Sequence, residues 1–196
     1  AVAHRERLLL IVRDVDEGDS GLALDALERH LHLLTQLEIE GTERLGYAVL
    51  AAQNPGLIYC AISGYGQDGP MRDAPAYDQI IQGLSGEMAV NGDERLNPLR
   101  AGFPVCDTVG GLNAAFAVMA ALFHRQRTGE GQSIDVALLD SIMPLMGWVA
   151  ANLLIGQQQP VLMGNDNFTA APSGTFSTLD GHINLSDNKQ VQWEAV

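Results

Sequence analysis

Three observations in the sequence predict an α/β layered fold. A branched apolar run, Arg7 to Arg13, precedes a helix-periodic segment, Ser20 to Leu34. A second apolar run, Leu57 to Ser63, lies between Pro55 and Gly64. A long helical pattern from Thr108 to Arg127 then leads through Gly129 and Gly131 into a third strand-like run, Gln132 to Leu138. Short apolar strands alternating with amphipathic helices are what a layered sheet of parallel strands produces.

The bulk properties bound the function. A chain of 196 residues can bury one good core, or one domain and the start of another. With 46% hydrophobic residues and a mean hydropathy of +0.04 it reads as a soluble globular protein. Gly, Asn, His and Gln interrupt the apolar stretches at 109–123 and 142–155, so no span of ~18 apolar residues and no membrane partner is expected. The apolar stretch at 8–12 is too short for a signal peptide. A net charge of −13, with ten Arg and one Lys, excludes nucleic acid, whose phosphates demand clustered cations. A polyanionic ligand would rely on a few local arginines and on helix N-termini. Cys60 and Cys106 both lie in apolar surroundings, which implies reduced thiols in a cytoplasmic protein.

The elements follow in order. Arg7 to Arg13 is a short strand, Asp14 to Asp19 an acidic turn, and Ser20 to Leu34 an amphipathic helix with Leu22, Ala26, Leu27, Leu31 and Leu34 on one face. His30 and His32 point about 200° apart on that helix and cannot converge on one ion, and the five histidines show no metal-site spacing, so no metal is expected. After the Leu57 to Ser63 strand, residues Gly64, Gly66 and Gly69 fit G-x-G-x-x-G. A dinucleotide fingerprint must open a helix, however, and Pro70 and Pro75 force a turn or extended loop instead. Gly64 and Gly66 are read as a loop whose backbone can approach a ligand. Gln79 to Met88 is helical through Ile81, Leu84 and Met88, and Val90 to Pro98 is a polar loop.

The next helix begins at Asp107 or Thr108 and closes at Gly129, with Arg125 and Arg127 in its last turn. A carboxylate at that position faces unpaired N–H groups and the positive end of the helix dipole, so Asp107 is either an N-cap or a held reactive group. Gly110 and Gly111 in the first turn weaken the helix by roughly 1 kcal/mol each relative to Ala, which implies a close approach to the backbone. Gln132 to Leu138 is the third strand and Asp140 to Leu154 a helix entered through Pro144. The sequence turns polar from Gly156, and Phe176 to Leu185 forms a hairpin turning at Asp180 and Gly181.

Asn54 to Pro70, Ala76-Tyr77-Asp78, Gly83-Leu84-Ser85-Gly86, Asp107, and Ala121 to Asp140 are separated motifs that come in a fixed order. Together, over about residues 41–185, they resemble the family III coenzyme A transferases of CaiB/BaiF type, the group of formyl-CoA transferase and the carnitine CoA-transferases. This resemblance implies a Rossmann-like large domain over 1–155, atypical in its first forty residues, a linker over 156–172, and the beginning of a small α+β domain over 173–196. Chains of this kind are about twice as long. The resemblance also makes Asp107 the catalytic residue, exchanging CoA between an acyl-CoA and a carboxylic acid acceptor through an aspartyl anhydride and an aspartyl-CoA thioester. CoA is then a substrate and no cofactor is tightly bound.

By the same resemblance Ala74, Pro75, Ala76 and Tyr77 line the CoA channel, together with Gly64 and Gly66, and Arg44 takes the position that contacts CoA. Arg44 follows Leu37-Glu38-Ile39-Glu40 where the family carries a different turn, so it is equally an exposed helix arginine pairing with Glu40 or Glu43. Tyr77 stands where related racemases carry a histidine; with an ordinary pKa of about 10 it is a poor base, which favours transfer. A racemase-like enzyme and an inactive, truncated interaction module remain alternatives. A homodimer of interlocked chains is implied.

Overall fold

The computed structural model describes residues 8–12, 46–167 and 169–195. Arg44, His30, His32 and the helix expected over Ser20 to Leu34 lie outside the described residues. In chain order the described elements are β1 (Leu8–Val12), α1 (Tyr47–Gln53), β2 (Ile58–Ser63), α2 (Asp78–Ser85), α3 (Glu87–Val90), α4 (Val105–Thr128), β3 (Gln132–Ala137), α5 (Leu138–Leu145), α6 (Trp148–Leu154), β4 (Ser173–Ser177), β5 (His182–Ser186) and α7 (Gln190–Trp193). They fall into two compact units, one of Ala1–Pro75 with Val109–Leu138 and one of Ala76–Thr108 with Leu139–Val196.

The first unit is α/β, as the strand and helix patterns predict. Its sheet has the order β1-β2-β3. β2 runs parallel to β3, from Ile58 opposite Gln132 to Ser63 opposite Ala137, and the long connection bearing α4 is what a parallel pair requires. β1 runs antiparallel to β2, Leu8 opposite Ile62 and Val12 opposite Ile58, so the sheet is mixed. One face of α4, carrying Ala114, Val118 and Ala121, packs with Ile58, Cys60, Ile134 and Val136 to form the core. Small residues on that face let the helix lie close. A methyl group on Gly110 would come within 2.3 Å of Leu138 Cδ2. Gly110 therefore serves helix packing, and the close approach expected there is made by Leu138.

Helix α4 has 24 residues and contains a window with a mean hydropathy of 1.5, enough by length and composition to cross a membrane, contrary to the expectation drawn from its interrupting polar residues. Its packed face gives it the ordinary alternative of a core helix. The helix also starts earlier than expected, at Val105, because Pro104 stands just before the first turn and fits an N-terminus through its fixed φ.

In the second unit the single helix expected over Gln79 to Met88 is two, α2 and α3, because Gly86 between them adopts φ 85° and ends α2 in the left-handed conformation. The helix expected over Asp140 to Leu154 is likewise divided into α5 and α6 by Gly147, three residues after Pro144. β4 and β5 form the expected hairpin, Ser177 opposite His182, with the Thr178 N–H donating to the Gly181 carbonyl at 2.9 Å.

Candidate active site

Asp107 is the third residue of α4, exposed in its first turn. The first amides of a helix have no partner within it, and Asp107 is the obvious residue to supply one. The partner here is another carboxylate. Asp78 Oδ1 accepts from the N–H of Cys106 at 2.7 Å and from the N–H of Asp107 at 3.1 Å. Asp78 is the first residue of α2, so one acid, anchored on a neighbouring helix, caps the helix that carries the other.

Gln82 extends this arrangement one turn along α2. It is fully buried, yet each of its polar atoms is used. Its Nε2 donates to Asp78 Oδ2 and to the Phe103 carbonyl at 3.4 Å, and its Oε1 accepts from the Ala101 N–H at 2.9 Å. The lead-in to α4 is thereby tied to α2 at Ala101, Phe103, Cys106 and Asp107.

Cys106 is the other nucleophile beside Asp107, and its surroundings disable it. It is buried, and burial, then the charges of Asp78, Glu87 and Asp107, push its thiol up to about 12. The reactive form of cysteine is the thiolate, which is negligible there at neutral pH. Glu87, at the start of α3, also has its carboxyl pushed up from the ordinary value, first by burial and then by Asp78. Its Oε2 is buried with no hydrogen-bond partner among the described residues.

Tyr77 immediately precedes α2 and is 59% exposed, more open than a half-buried aromatic. Its carbonyl accepts from the amides of Ile80 and Ile81. Ala76 is partly buried beside it. The second unit thus holds Asp107, Ala76 and Tyr77, the last two adjoining the Asp78 that caps α4.

The remaining expected site residues belong to the first unit. Ala74 and Pro75 are exposed. Gly64 is partly buried and Gly66 buried, with φ 86°, and a methyl group on Gly66 would meet Asp135 Oδ2 at 3.2 Å. The Gly66 N–H donates to Ser63 Oγ at 3.1 Å and the Gln67 N–H to Asp135 Oδ2 at 2.7 Å. These two amides are spent on holding the loop to β2 and β3. The Gly110 amide lies within the helical hydrogen-bond ladder of α4.

Sequence reasoning assigned no part to Asp78, Gln82, Glu87 or Asp135. Two signals were available: the polar pair Asp78 and Gln82 at i, i+4 on a helix otherwise buried through Ile81, and a single carboxylate inside β3. Among the described residues no group of three or more His, Cys, Asp or Glu could hold a metal ion.

Comparison with known proteins identifies the family. The profile described as CoA-transferase family III matches residues 39–196. The chain is 39% identical over 175 residues to a succinate–glutarate CoA-transferase of Agrobacterium fabrum, covering 86% of this chain and 44% of the relative. It is 40% identical over 152 residues to a succinyl-CoA:glutarate CoA-transferase of Mus musculus, covering 78% and 35%. The crystal structure of a CAIB/BAIF family protein from Brucella suis matches with a TM-score of 0.71 and 36% identity, over 83% of this chain and 42% of that one. The chain therefore spans less than half the length of these relatives. With most of its residues matched, it belongs to CoA-transferase family III.

Proposed function

We propose that the chain carries the nucleophile-bearing part of an enzyme that moves CoA from an acyl-CoA thioester to a carboxylic acid, with Asp107 as the nucleophile. The observation that supports this most is the placement of Asp107, exposed in the first turn of a helix whose opening amides are held by Asp78. In the proposed cycle a carboxylate oxygen of Asp107 attacks the thioester carbonyl, the C–S bond breaks, and CoA leaves as thiolate, giving a mixed anhydride. The thiolate attacks the Asp107 carboxyl carbon and releases the donor's acid, leaving an aspartyl-CoA thioester. The acceptor carboxylate then displaces the thiolate to form a second anhydride, and the thiolate attacks the acceptor's acyl carbon, restoring Asp107. CoA is a substrate throughout and no tightly bound cofactor enters. Relatives named for succinate and glutarate support short dicarboxylic acids as the acyl group and acceptor.

The rest of the assignment is part of the same proposal: Ala74, Pro75, Ala76, Tyr77, Gly64 and Gly66 along the CoA path, Arg44 on CoA itself, and a cytoplasmic location, supported by two cysteines that remain free thiols. A large domain over 1–155, a linker over 156–172 and the start of a smaller domain from 173 also belong to it, as does a homodimer.

The test is CoA exchange between succinyl-CoA and glutarate by the native chain and by Asp107→Asn. Loss of exchange by more than about 10³-fold in a variant that stays folded is expected. Undiminished exchange would overturn the assignment of the nucleophile. Deuterium uptake at the acyl α-carbon without CoA exchange would place the chain with the racemases.

A further inference from the structure

Each amide from Val105 to Thr108, at the opening of α4, has an acceptor, and two of them depend on a single carboxylate oxygen. The Val105 N–H donates to the Phe103 carbonyl at 2.9 Å and the Thr108 N–H to the Pro104 carbonyl at 3.0 Å. The Cys106 and Asp107 amides both donate to Asp78 Oδ1. That bridge requires one rotation of the Asp78 carboxyl group, yet the terminal torsion of an aspartate is broad and only weakly fixed by itself. Gln82, one turn further along α2, supplies the constraint: its Nε2 donates to the other oxygen, Asp78 Oδ2.

The Gln82 amide in turn fits only one way round. Its Oε1 accepts from the Ala101 N–H at 2.9 Å, and its Nε2 has two acceptors, Asp78 Oδ2 and the Phe103 carbonyl. Turned over, it would set an oxygen against a carboxylate and an NH2 group against an N–H. Gln82 is fully buried, so water does not compete for these bonds. All of these residues lie in the second unit. We propose that Gln82 is a positioning residue for Asp107, on the reading that Asp107 is the reacting carboxylate. It locks the Asp78 carboxyl group, and Asp78 fixes the Cys106 and Asp107 amides and so the backbone from which the Asp107 side chain departs.

Loss of the Gln82 amide frees the Asp78 carboxyl group to turn, lets the first turn of α4 shift, and moves the Asp107 oxygens off their line of attack on a thioester carbon. A misplacement of about 1 Å costs about 10²-fold in rate. The loss acts on the alignment of the reacting group, so it falls on kcat more than on KM. Because Gln82 works through Asp78, the two behave as one unit and their losses do not multiply.

The experiment is a double-mutant cycle on CoA exchange between succinyl-CoA and glutarate, using the native chain, Gln82→Leu, Asp78→Asn and the two together, each corrected for its folded fraction. Asp78→Asn keeps the shape but has one oxygen where two are needed, for the α4 amides and for Gln82. Each single change is expected to lower kcat by about 10–100-fold with KM for succinyl-CoA kept within about 3-fold, and the double variant to be no slower than the slower single. An unchanged kcat in Gln82→Leu, or a double loss equal to the product of the single losses, would overturn the proposal. NMR reads the placement without turnover: the Cys106 and Asp107 amide signals are expected to move in Gln82→Leu, and unmoved signals would overturn it too. Where no variant folds, the native chain decides. Its Gln82 side-chain NH2 protons are expected to exchange slowly with solvent, and exchange as fast as that of an exposed glutamine refutes the lock. Absence of CoA exchange in the native chain would count against the proposed reaction, while the two amides still decide the placement of Gln82.

Discussion

The two oxygens of Asp78 have separate duties, one taking the α4 amides and the other taking Gln82, so the residue joins the cap of one helix to the side of another. Replacing Asp78 by Ala removes an anionic cap and leaves two first-turn amides without their acceptor; a loss of about 1–2 kcal/mol is expected. Gln82→Leu keeps the volume but strands the Ala101 N–H and removes the donor to Asp78 Oδ2. A loss of about 2 kcal/mol is expected there, read as a fall in Tm of about 4–8 °C. Intact stability in Gln82→Leu would show that its hydrogen bonds merely replace bonds to water. At this scale the sequence was legible where chemistry is local. Asp107 stands out as a carboxylate at a helix start. Asp78 did not, because its role depends on α2 meeting α4 at a separation of 28 positions, which no periodicity encodes.

Helix α4 is the element on which both units draw, and its second turn shows how two adjacent glycines differ. Gly110 faces Leu138 so closely that an added methyl would sit 2.3 Å from its Cδ2, whereas Gly111 has nothing within 4 Å. Substituting Ala therefore has opposite signs at the two positions. Gly111→Ala is expected to gain about 0.5–1 kcal/mol from helix propensity alone. Gly110→Ala has the same propensity gain but must displace the end of a leucine in a packed site, an overpacking cost of about 1–3 kcal/mol, so a net loss of up to about 2 kcal/mol is expected. Urea unfolding of both variants measures the difference, and equal gains would show that Leu138 moves aside freely. The sequence foretold this helix, β2, β3 and the β4-β5 hairpin to within three residues, because each is a long or well-bounded pattern. It ran α2 into α3, and α5 into α6, because the apolar spacing continues through Gly86 and Gly147 while the backbone there leaves the helical region.

Taken whole, the chain leaves an apolar surface whose spacing is regular. Leu112, Phe116, Met119 and Phe123 follow one another at intervals of four, three and four along α4 and are 65%, 72%, 61% and 62% exposed, on the side opposite the buried Ala114, Val118 and Ala121. Large side chains at that spacing form the seam by which helices pack in pairs, and a stripe of this kind is rarely left in water. The proposed homodimer would cover it with the same stripe from a second copy. Charge opposes that association, since each chain carries a net −13 and the repulsion is long-ranged at low salt. Added salt screens the repulsion without weakening apolar contact. Dimerisation is therefore expected to tighten as NaCl rises from about 20 mM to about 500 mM, over which the Debye length falls severalfold. Phe116→Asp places a charge in the middle of the stripe at a position already open to solvent, so it is expected to leave the chain folded and make it monomeric. Sedimentation velocity across the salt series, on the native chain and on this variant, measures both effects. A native chain that stays monomeric at high salt would remove α4 as the dimer seam, and a dimer indifferent to Phe116→Asp would place the contact on another face.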